Sequence, residues 1–149
     1  AVGGGRRRTA RRHDTRRARS EQRRSLTRMV TLDDVRREAL SLPRSYEALV
    51  AGRVKFRVGR IVYLAASRDE TLLGFAFPKE EREALVEAEP HKFMLPKPAD
   101  MRYNWAVVRL EAIDLEELAQ IVFHAWRMVV PKSLARQVAA ERDIVLDDG

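Results

Sequence analysis

Polar and apolar residues alternate without a break from Arg53 to Val58. Val54, Phe56 and Val58 fall on one face and Arg53, Lys55 and Arg57 on the other, the period-two pattern of a half-buried strand. Gly59-Arg60 follows, a two-residue link with glycine first, which suits a type II′ hairpin turn. Ile61 to Ser67 returns as the partner strand. Arg68-Asp69-Glu70 makes the next turn, and Thr71 to Phe77 completes a meander with Leu73, Phe75 and Phe77 on one side. Trp105 to Leu110 is a further strand, with Trp105 and Val107 sharing a face. Tyr46 to Val50 reads as a short strand or turn.

Elsewhere the period lengthens to that of a helix. Leu32, Val35, Ala39 and Leu42 recur at helical spacing after Thr31, a capping residue, and Asp33-Asp34, whose charges suit the positive helix end. Pro43 stops this helix. Pro78 fits the first position of a second helix reaching about Glu87. Pro90, Pro96 and Pro98 predict an irregular loop over 89–104. Asp114-Leu115-Glu116-Glu117 predicts a capping box, opening a helix that runs to about Val130. Its core stripe is Leu118, Val122, Ala125 and Val129, widened by Ile121 and Trp126. Pro131 ends it, and Ser133 to Arg142 predicts a short further helix. The order of helix, antiparallel strands, helix, strand and helix predicts an α+β fold: an antiparallel sheet with helices packed on one face.

Charge changes this picture at one end only. Residues 1–28 hold 11 arginines against Asp14 and Glu21, while the whole chain is +7, so residues 29–149 are close to neutral. The first 28 residues carry almost no large apolar side chain and are expected to be disordered. Three origins fit them: a native basic arm for a polyanion, upstream GC-rich sequence read in frame with initiation at Met29, or a transit peptide lacking the usual apolar face. Residues 29–149 suit one domain. There is no cysteine, which excludes a disulfide framework, a thiol nucleophile and a thiolate metal site. The longest apolar run, Ile61 to Ala66, is far too short to span a bilayer. A soluble cytoplasmic monomer is expected.

No phosphate-binding glycine loop, HExxH or G-x-S-x-G occurs, so a non-enzymatic role is expected. Carboxylate pairs such as Asp33-Asp34 and Glu80-Glu81 are explained by helix N-terminal charge. His13, His91 and His124 have no ligand spacing among them, and no metal or cofactor is expected.

Three stretches resemble a known family. Phe56-Arg57-Val58-Gly59-Arg60-Ile61-Val62-Tyr63 is similar to its hairpin, and Asn104-Trp105-Ala106-Val107-Val108-Arg109-Leu110 to its tryptophan-bearing strand. Asp114-Leu115-Glu116-Glu117-Leu118, Ala125-Trp126-Arg127 and Val130-Pro131-Lys132 are similar to its closing helix, and Leu42-Pro43 also fits. From about Met29 to Arg136 the chain resembles the MmcQ/YjbR family, small bacterial proteins with a frataxin-like (CyaY-like) fold. The resemblance implies helices on one side of an antiparallel sheet, and the DNA-binding label that members carry. The frataxin branch would imply iron handled by an acidic first helix. Here Arg36 and Arg37 lie between Asp33, Asp34 and Glu38, and such mixed charge does not make a hard-cation site.

With that label, Arg53, Lys55 and Arg57, and Arg60 at the adjoining turn, become candidates for phosphate contacts. A solvated sheet face is the plainer alternative. Lys97 and Arg102, near Lys92, His91 and Tyr103, combine cations with an aromatic able to stack a base. The alternative is a loop that packs its aromatics on the sheet. Trp105 and Trp126 are both expected in the core. His124, beside Glu117, Gln120 and Arg127, is expected to face solvent. The function expected is DNA binding through basic side chains. The near-neutral domain keeps a protein-interaction or small-ligand module with no nucleic-acid role as the alternative.

Overall fold

The alternating segments pair into one six-stranded antiparallel sheet: β1 Ser45–Val50, β2 Arg53–Val58, β3 Ile61–Ala66, β4 Leu72–Ala76, β5 Phe93–Met94 and β6 Trp105–Arg109. Their order across the sheet is β1-β2-β3-β4-β6-β5. The helices are α1 Leu32–Leu40, α2 Arg82–Ala88, α3 Leu115–Arg127 and α4 Lys132–Glu141. This computed structural model describes residues 29–146. The expectations for residues 1–28 lie outside the described residues.

Turn chemistry sets the meander. Gly59 has φ +61, and Val58 pairs with Ile61 across the two-residue link. Ala51 and Gly52 are both left-handed, with φ 52 and 77, as the mirror-image turn of a tight hairpin needs. That turn folds Ser45–Val50 back on β2 as a full edge strand. At the third turn the Asp69 carboxylate accepts from the Ser67 hydroxyl and from the Thr71 hydroxyl and N–H.

One irregularity decides what points inward. The β2–β3 register shifts between Phe56 and Arg57, so Phe56 faces Leu64 while Arg57 faces Val62. The extra residue, Tyr63, is turned into the core and shares a hydrogen bond of 2.5 Å with the Ser45 hydroxyl. Burial pushes its phenol up to about 12, against a smaller opposite effect of the Ser45 bond.

Paired residues share a face. Phe56, Leu64, Phe75 and Ala106 form one inward row, and Ala66, Leu73, Val108 and Phe93 another. Helix α3 packs on β3 and β4 from this side, and α1 packs on α3 and β1. Trp126 on α3 is fully buried, and its indole N–H donates to the Pro43 carbonyl at 2.9 Å.

Four local expectations are corrected. Pro78 does not open the second helix: Glu81 N–H bonds the Pro78 carbonyl in a turn, and α2 begins at Arg82. The stretch 89–104 is not wholly irregular, because it holds the edge strand β5 and a 3-10 turn at Pro98–Asp100. The third helix ends at Arg127, short of Val130. Asp114 accepts from Glu117 N–H at 2.8 Å, but the Glu117 carboxylate turns away to Lys92 at 2.8 Å, leaving half a capping box.

Candidate nucleic-acid interface

The face of the sheet opposite the core carries the basic strip. Arg53, Lys55 and Arg57 on β2 pair with Val50, Ala48 and Tyr46 on β1, while the intervening Val54, Phe56 and Val58 turn toward the core. Successive strip residues stand about 7 Å apart, two strand rises. Across β3, Lys55 faces Ala65 and Arg57 faces Val62. The row from Lys55 continues through Ala65 and Gly74 to Val107. Small residues therefore floor a trough between β2 and β6.

The opposite wall is Trp105 and the loop leading to it. The expectation that Trp105 packs in the core holds only in part: it is partly buried against the core cluster, but from the open side of the sheet. Ala106 and Val108 take the inward positions of β6, and Trp105 and Val107 face the trough, partly exposed. Alternation groups Trp105 with Val107, but it cannot say which group the helices cover. The indole lies on Gly74, where a Cβ would come within 2.5 Å of Nε1 and 2.7 Å of Cε2 and Cζ2. Gly74 and Ala76 are buried although they alternate with the core residues Leu73 and Phe75. The ring itself covers them.

An open groove of about 910 Å³ results. Arg53, Lys55 and Arg60 line it on one side, and Lys97, Tyr103 and Trp105 on the other. Asp100 and Asn104 also reach it, as do Met128 and Val129 just after α3. Four of the six candidate cations thus share one groove. Arg57 points from the same sheet face without lining the groove, and its buried Nε has no hydrogen-bond partner among the described residues. Arg102 is exposed outside it, with its guanidinium 4.8 Å from the centre of the Tyr103 ring.

The loop wall is held from behind by a residue that sequence patterning did not single out. Arg82, only 6 % exposed, donates to the carbonyls of Tyr103 at 2.9 Å, Trp105 at 3.3 Å and Met101. Asn104 Oδ1 accepts from Lys79 N–H at 3.0 Å, and the Asn104 carbonyl accepts from Phe77 N–H. No local pattern marks a buried arginine whose partners are carbonyls about twenty residues away. The small residues at 65, 74 and 76 become a trough floor only once the strands are paired.

Electrostatics separate the two sides. Lys92 is bound by Glu89 and Glu117 at 2.8 Å each, and these carboxylates, Glu117 foremost, hold its ammonium well above the usual lysine range. It is therefore engaged, not free for a backbone. Arg36 is likewise raised by Glu47 and then Asp33, and Asp34 accepts from Thr31 N–H and hydroxyl. Asp33 and Asp34 of the first helix thus serve local pairing and capping. Arg53, Lys55, Arg60 and Lys97 have no ion pair or side-chain hydrogen bond with another described residue. His124 is exposed, on the helix side. Among the described residues no three His, Asp or Glu side chains converge as a metal site, and no helix is long and apolar enough to cross a membrane.

The crystal structure of the Deinococcus radiodurans protein DR2400, a DUF419-domain protein, is similar in fold, with a TM-score of 0.62 at 23% identity over 83% of this chain and 97% of that one. No curated protein matches the chain. The YjbR family model matches residues 40–128, which include every strand, helix α3 and all of the groove lining but Val129. The chain belongs to the YjbR family.

Proposed function

We propose that the protein is a non-enzymatic DNA-binding protein that contacts phosphates through the cations of the open sheet face. The observation that carries this reading is the placement of Arg53, Lys55 and Arg60 along one wall of a groove, with Lys97 across it and none of the four ion-paired with another described residue. Phosphate contacts need free cations at regular spacing on an accessible surface. A strand face supplies them about 7 Å apart.

The test is a salt titration of binding to a DNA duplex, with the full chain and with the triple variant Arg53→Ala, Lys55→Ala, Arg60→Ala. Each lysine or arginine that neutralises a phosphate adds about 0.9 to the log–log salt slope. The variant should bind more weakly and lose about 2–3 units of slope, while its Tm stays near that of the parent. An unchanged slope would assign any binding to residues 1–28 and reject the open face as the contact surface.

A further inference from the structure

Trp105 is not explained by phosphate contacts. Its indole is laid on the sheet by the absence of a side chain at Gly74. One ring face is thus used against β4, and the ring borders an open groove. The trough beside it is floored by Ala65, Gly74 and Ala76, with Val62 and Val107 flanking them, and along the row from Gly74 to Lys55 only Ala65 intervenes. The strip on β2 lies two strand spacings, about 10 Å, from β4 under the ring. That is the span of a nucleotide whose base reaches the ring while its phosphate turns toward the strip. In a duplex the base faces are already stacked on one another, and only an unstacked base can cover an indole. We propose that the open face binds single-stranded DNA, with one base stacked on Trp105 and the flanking phosphates held by Arg53, Lys55 and Arg60. Arg82 is the positioning residue, because it holds the Trp105 and Tyr103 carbonyls. This inference rests on the DNA-binding reading above and names the form of DNA.

The full chain is titrated with a short oligothymidylate, an abasic oligonucleotide of the same length and a duplex of that length. The anisotropy of a labelled oligonucleotide gives the affinity of every variant, and in the parent chain fluorescence quenching reports on Trp105, since the other tryptophan, Trp126, is fully buried. Trp105→Ala should weaken oligothymidylate binding by about 5- to 150-fold, the worth of one base–aromatic stack. Trp105→Phe, which keeps an aromatic face, should recover most of that loss. Abasic and duplex binding should change less than about two-fold in both variants. If Trp105→Ala leaves oligothymidylate affinity intact while the Arg53, Lys55, Arg60 triple variant loses it, stacking is rejected and the phosphate reading stands. If Trp105→Ala weakens abasic and oligothymidylate binding alike, Trp105 only shapes the face and the inference fails. If thymidine monophosphate binds as tightly as the oligonucleotide, the groove is a small-ligand pocket and single-strand binding is rejected. If neither variant changes binding to any probe, the DNA-binding reading falls as well.

Discussion

The chain has two tryptophans, on opposite sides of one sheet, and they differ in almost every physical respect. Trp126 is enclosed between α3 and its neighbours, fully buried, and its N–H is spent on the Pro43 carbonyl. Trp105 rests on Gly74, partly exposed, and borders a groove with cations on both walls. The first ties the C-terminal half of the fold to the end of the first helix. The second contributes a surface. The same division runs through the basic residues: Arg36 and Lys92 are paired with carboxylates on the helix side, and Arg53, Lys55 and Arg60 on the open side have no ion pair with another described residue. One face of the sheet holds the fold together, and the other is available for a ligand.

The sharpest way to break this contrast is to remove each ring in turn. Trp126→Ala deletes a buried side chain of more than a hundred square ångströms and orphans the Pro43 carbonyl, and should cost about 3–5 kcal/mol. Urea unfolding measures it; a loss under about 1 kcal/mol would mean that Trp126 is not enclosed as described. Arg82→Met should cost about 3 kcal/mol, because three carbonyls lose a charged donor. The variant should also shift the emission of Trp105 as the loop at 101–105 loosens. Unchanged emission would separate Arg82 from the groove wall.

A smaller effect is confined to alkaline pH. The Tyr63 phenol is raised from its ordinary value of 10 to about 12 by burial, so the fold favours its neutral form. That contribution is complete below pH 10 and is lost as pH rises from 10 to about 12. Tyr63→Phe should flatten the stability–pH curve in that window, and an equally steep fall in the variant would assign the loss to other groups. The smallest stability effect belongs to Trp105→Ala, about 1 kcal/mol, since its ring is only partly removed from water. A cost equal to that of Trp126→Ala would erase the distinction between the two faces.

Much of this architecture was legible because local signals agreed. The strict alternation at Arg53–Val58, glycine first in the Gly59-Arg60 turn and the apolar stripe of α3 each name one structure. The antiparallel sheet with helices on one face followed from them. What stayed hidden was non-local. The bulge at Tyr63 arises from a register shift that no single strand encodes. The edge strand Phe93–Met94 is only two residues long and exists because β6 offers it a partner. The placement of Trp105 depended on which side of the sheet the helices cover, and alternation alone is symmetric in that respect. Within the candidate site, the β2 strip was readable from spacing, as were Lys97 and Arg102 from composition. Arg82, Gly74 and the groove required the strands to be assembled.

The two-face account is tested most directly by methyl NMR of residues 29–149 with an oligothymidylate. Adjacent methyl-bearing residues on each strand report opposite faces: Ala65 against Leu64, and Val107 against Val108. Shifts should move at Ala65, Ala76 and Val107 and at the Trp105 indole N–H, and stay fixed at Leu64, Ala106, Val108 and the Trp126 indole. Perturbations centred on α1 or α3, or equal changes within each pair, would contradict the account.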